Sequence, residues 1–91
     1  MASYSEVYSV NISAINEKNL ISQRVREIRK KKRMTQKDLA GAVQLLGVML
    51  DRMSINRIES GNRSVTDYEL VAFSKALGVS VDWLLFGDNK D

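Results

Sequence analysis

From residue 20 onward, apolar positions recur every three or four residues, the spacing of helices that bury one face. Ile21, Val25 and Ile28 form the first stripe and predict a helix from about Leu20 to Lys32, with basic residues between and after the apolar ones. "MTQKDLA" opens a second helix, in which Thr35 can cap the N-terminus and Asp38 stands at the capping-box position. Leu39, Ala40 and Val43 face inward, and this helix runs from about Gln36 to Val43 with room to continue. Asp51 is a good N-cap for a third, short helix from about Arg52 to Ser60. Ile55 and Ile58 take its buried side, and Gly61 follows where a left-handed stop belongs. Thr66 and Glu69 form another capping box ahead of Leu70, Val71, Phe73, Ser74 and Leu77, and Gly78 ends that helix. Ser80 caps the last helix, Val81 to Phe86, and Gly87 stops it.

The segment before residue 20 is polar and weakly patterned. Tyr4, Tyr8, Val10 and Ile12 share one parity, a weak strand-like alternation. Residues 1–19 are read as an arm that is flexible, or that packs on a partner or on the domain itself, residues 20–87 as one folded domain, and residues 88–91 as a tail. The expected fold class is all-α: a compact five-helix domain preceded by the arm.

Composition narrows the chemistry. The chain has no cysteine and no histidine, which removes disulfides, thiolate metal sites and the commonest general base. No nucleophile, base and orienter stand together, so an enzyme is not expected, nor any cofactor or metal. The apolar runs fall far short of a membrane span, and no basic patch followed by an apolar segment marks a signal peptide. The cytoplasm is the expected compartment. Net charge is only +3, but its distribution is uneven. Arg24, Arg26, Arg29, Lys30, Lys31, Lys32, Arg33 and Lys37 cluster with only Glu27 opposing them, whereas the C-terminal part is acidic. Such a cluster suits a polyanion, because neutralised phosphates release counterions. On charge alone it is equally a solvated helix face.

The third helix favours the polyanion, with only some of these cations engaged. It buries little and presents much: Arg52, Met53, Asn56 and Arg57 lie away from its isoleucines. A helix, a connection and a short helix with a polar outer face outline a helix-turn-helix, whose second helix enters the major groove of DNA. Arginine pairs bidentately with guanine and asparagine with adenine. Met53 suits a thymine methyl or a sugar, and Ser54 can donate to a phosphate.

Three stretches, "RVREIRKKKRMTQKDLA", "INRIESGNRS" and "LVAFSKALGVSVDWLL", follow one another between Ser22 and Leu85. In that order they resemble the lambda-repressor-like helix-turn-helix domain of the Cro and C-repressor type. The resemblance implies a DNA-binding transcriptional regulator, acting as a repressor, with double-stranded DNA as its partner. It implies base contacts by Arg52, Met53, Asn56 and Arg57, a phosphate contact by Gln36, and backbone contacts by Asn62, Arg63 and Ser64. Thr35, Lys37 and Ser54 are added as phosphate contacts, and Glu59 is given a structural part.

Two features stand apart from the family pattern. "QLLGVMLD" makes the connection between the second and third helices roughly five residues longer than the compact motif. Leu45, Leu46, Val48 and Leu50 are expected to lengthen the second helix and wrap the turn, packing back on the core. The last helix carries Trp83, Leu84, Leu85 and Phe86, more apolar surface than so short a helix can bury in its own domain. Trp83, Leu84 and Phe86 are therefore candidate homodimer contacts, with the N-terminal arm as the competing dimerisation element. A dimer would set two recognition helices about 34 Å apart on a palindromic operator. The alternative is an antitoxin-like or adaptor module that uses the arm to hold a protein partner, with DNA binding secondary.

Overall fold

A computed structural model describes residues 17–88; residues 1–16 and 89–91, with most of the arm and tail, lie outside the described residues. The elements are α1 (Ser22–Lys31), α2 (Gln36–Leu45), α3 (Arg52–Glu59), α4 (Asp67–Leu77) and α5 (Val81–Phe86). Five helices and no strand, among the described residues, make the domain all-α, as the periodicity requires.

Each start has a local cause. The hydroxyls of Thr35 and Thr66 accept from the backbone N–H of Asp38 and Glu69, and both capping boxes are complete. Asp51 and Ser80 accept from the N–H of Ser54 and Trp83. Only α1 lacks a side-chain cap. There the Asn19 side-chain oxygen Oδ1 accepts from the Ile21 N–H at 2.9 Å, just upstream of the helix. At the C-terminus of α3, Gly61 has φ +80°, and a β-carbon there would come within 2.7 Å of Glu17.

Ile21, Val25, Leu39, Val43, Leu50, Ile55, Ile58, Ala72, Phe73, Leu77 and Leu84 form a single core to which all five helices contribute. The most extensive helix contacts are those of α2 with α3, α1 with α3, α2 with α4, α1 with α4 and α4 with α5.

Three expectations need correction. The domain begins before residue 20. Asn19 Nδ2 donates to the carbonyls of Ile58 and Arg63 at 3.0 and 2.9 Å, and the Lys18 N–H donates to Gly61. Residues 17–19 are thus docked on the loop after α3. Second, the apolar extension packs only in part. Leu50 is buried and Val48 lies against the core, but Leu45 is 90% exposed, Met49 76% and Leu46 46%. Helical phase explains the split: Leu45 is two residues past buried Val43 and so points to the opposite side. Gly47, with φ +87°, then ends the helix as Val48 N–H turns back to the Val43 carbonyl. Third, Leu84 is fully buried and supplies no surface for a dimer, whereas Trp83 and Phe86 are half-buried.

Leu50→Ala should destabilise the domain by about 2–4 kcal/mol, the usual cost of emptying a buried leucine site. Leu45→Ser should change stability by less than about 0.5 kcal/mol. Urea unfolding of both variants checks the pair.

Candidate nucleic-acid interface

The outer side of α3 is built by what its inner side does. Ile55 and Ile58 have no exposure at all, which fixes the rotation of the helix. Arg52, Met53, Asn56 and Arg57 are all exposed, and Ser54 is half-buried at the margin. The Asp51 cap defines where the helix begins, and the Ser54 N–H holds the Asp51 carboxyl below the usual carboxylate range. The Thr35 N–H does the same for Asp38 at the start of α2.

The tilt of α3 is set by Glu59, which is buried although charged. It accepts from Arg29 of α1 twice: Nε donates to Oε2 at 2.6 Å and Nη2 to Oε1 at 2.9 Å. The third guanidinium nitrogen, Nη1, donates to the Met34 carbonyl in the α1–α2 connection at 2.7 Å. The Glu59 hydrogen bond raises the Arg29 pKa above its ordinary value against the opposing effect of burial. One bidentate pair therefore joins the first helix, the turn before the second and the end of the third.

Gln36, the first residue of α2, continues this network outward. Its Nε2 donates to Glu59 Oε1 at 3.2 Å, and its Oε1 faces Asn56 Nδ2 at 3.5 Å. On one side of Gln36 an open groove of about 540 Å³ is lined by Arg29, Thr35, Lys37 and Arg52. On the other, a polar depression of about 230 Å³ is lined by Arg26, Lys30, Asn56 and Ser60. Two exposed cations, Lys37 and Arg52, thus flank the starts of α2 and α3, and two more, Arg26 and Lys30, line the depression beside the second half of α3.

Not every predicted residue belongs to this surface in the same way. Thr35, Gln36, Lys37, Arg52 and Asn56 line the two adjoining depressions, and Met53 and Arg57 are exposed elsewhere on α3. Asn62 and Ser64 are exposed on the loop after α3. Arg63, on the same loop, is half-buried: its guanidinium is held by Glu69 at 3.0 and 3.1 Å and by the Ser64 carbonyl, so it also clamps the loop to α4. Two members of the basic cluster are also structural. Arg29 is buried in the pair with Glu59, and Arg24 donates to the carbonyls of Leu84 and Leu85 at 2.8 and 2.7 Å, closing the end of α5. The position of Arg29 had a signal in the sequence: it lies four residues after Val25, on the apolar stripe itself.

A helix-turn-helix family model matches residues 25–84. The chain belongs to this helix-turn-helix family, with a lambda-repressor-like fold. Within the family, it is 39% identical over 72 residues to the HTH-type transcriptional regulator DicA of Escherichia coli K12, covering 78% of the chain and 50% of DicA. The chain thus spans about half the length of this curated relative. The helix-turn-helix domain also resembles the P22 c2 repressor protein, whose crystal structure is a complex with synthetic operator 9T in the presence of Tl+. That match has a TM-score of 0.66 and 33% identity, covering 76% of this chain and 97% of the P22 chain.

Glu59→Ala should lower stability by about 3–5 kcal/mol, because Arg29 is left buried without its counter-charge. The double change Arg29→Met with Glu59→Leu should cost much less, and urea titration of the two separates an orphaned charge from lost packing. Acidification gives a second test. The Asp51 carboxyl is lowered in the folded state, so its contribution is complete above the unfolded value of about 3.9 and disappears as pH falls through the folded one. Asp51→Asn keeps a capping oxygen without that titration. Its stability should therefore fall less steeply than that of the wild type below about pH 4.

Proposed function

We propose that the protein is a sequence-specific regulator of transcription that binds double-stranded DNA through α3 and acts as a repressor. The observation that carries this reading is the two-sided α3: isoleucines with no exposure behind, and Arg52, Met53, Asn56 and Arg57 exposed in front. Those four side chains offer guanine and adenine donors and a methyl contact, in a helix whose cap leaves its first turn clear. Lys37, Gln36, Thr35 and Ser54 flank them as phosphate contacts, joined by Asn62, Arg63 and Ser64 on the following loop. Arg26 and Lys30 extend the same positive surface.

Repression would follow from occupancy: a protein seated on an operator excludes polymerase from overlapping DNA. A homodimer on a palindromic operator fits this role, with Trp83 and Phe86 of α5 as its contact residues. Arg24 closes the end of α5 and so fixes the direction in which that helix faces. Among the described residues no helix is long and apolar enough to cross a membrane, and a cytoplasmic location goes with access to DNA. The operator-bound state of the P22 c2 repressor supports the assignment of DNA as ligand.

Arg52→Ala should cost about 1–3 kcal/mol on the preferred site and relax base preference at one position per half-site. Lys37→Ala should instead weaken all sequences alike and reduce the dependence of log K on log salt by about one. Binding to a random DNA pool, sequenced before and after selection at two salt concentrations, reads both. Identical site preferences for wild type and Arg52→Ala would defeat the assignment of that arginine.

A further inference from the structure

The orientation of one amide on the reading face is dictated from inside the protein. A carboxylate can only accept hydrogen bonds, so the end of Gln36 that meets Glu59 Oε1 must be its NH2 group. Its carbonyl oxygen is then turned to Asn56 and can only accept, so Asn56 must offer its own NH2 there. Glu59 cannot give way, because Arg29 holds both its oxygens. Polarity therefore passes from the buried Arg29–Glu59 pair through Gln36 to Asn56.

The consequence concerns specificity. Adenine offers an acceptor at N7 and a donor at N6, and an asparagine amide matches both in one orientation only. An unrestrained amide turns over about its last bond and presents donor where acceptor was. With one N–H engaged by Gln36, Asn56 keeps its carbonyl oxygen and its second N–H for a base.

We propose that Gln36 and Glu59 are positioning residues for base specificity: by fixing the Asn56 amide in a single orientation, they make Asn56 a reader of adenine. This rests on the DNA-binding function proposed above. Gln36 thus has a part in sequence choice that is separate from any contact it makes with a phosphate.

The test is a double-mutant cycle on base preference, using the full chain and a random duplex pool. Gln36 is half-buried at the surface, and retention of helical circular dichroism and of the unfolding midpoint shows that each variant folds. In the wild type one operator position should be dominated by adenine, and Asn56→Ala should abolish that preference. Gln36→Met should reduce it about twofold, because the released amide divides between two orientations while Asn56 can still form the bidentate pair. In the Asn56→Ala background, Gln36→Met should change no base preference at all, because the two residues act as one unit. The inference is overturned if Gln36→Met lowers binding to every sequence equally, as loss of a phosphate contact alone would do. It is also overturned if Gln36→Met shifts the preference equally with and without Asn56, since Gln36 would then read the base itself. A wild type that enriches no sequence overturns the DNA-binding function as well, and so is distinguished from failure of the relay alone.

Discussion

The buried pair between Arg29 and Glu59 is the constraint on which the interface depends. A charge removed from water is costly unless it is matched, and here every nitrogen of Arg29 has an acceptor and both oxygens of Glu59 have donors. The pair supplies direction more than net stability, since well-packed apolar residues can hold helices together as firmly. It locks the end of α3 to α1 at one angle. The isoleucines then set the roll of α3, and the Asp51 cap sets where it begins. With end, roll and start all fixed, the side chains of Arg52, Met53, Asn56 and Arg57 are presented on a rigid platform.

The long connection between α2 and α3 shows how an insertion is accommodated without disturbing that platform. Gly47 closes α2 in a left-handed turn, and Leu50 re-enters the core immediately before the cap of α3. The surplus is displaced outward as Leu45, Leu46 and Met49. Two buried anchors, Val43 and Leu50, thus bracket the extension, and the helices on either side keep their seats in the core.

Much of this was legible in the sequence because it is written locally. Thr35 with Asp38, Thr66 with Glu69, Asp51, Ser80 and the glycines at 61, 78 and 87 mark starts and stops through contacts spanning a few residues, and periodicity identifies the buried faces. The exposed side of α3 follows from Ile55 and Ile58 by the same logic. What was not legible depends on residues distant in the chain. Arg24 and Arg29 read as free cations until α5 and α3 are brought against them, 60 and 30 residues away. The clamp that Arg63 makes on α4 depends on Glu69 folding over it. The outward turn of Leu45 depended on where α2 stops, and the burial of Leu84 on how the last helix rolls.

The central claim is that the exposed side of α3 and the first turn of α2 together form the surface that meets DNA. Backbone and side-chain amide NMR of the labelled full chain, titrated with its selected duplex, tests this directly. The largest shifts should fall on Arg52, Asn56, Arg57 and Gln36, with the Asn56 and Gln36 side-chain NH2 signals moving together. Shifts centred on Leu45 to Met49 or on α5, with α3 unmoved, would contradict the account.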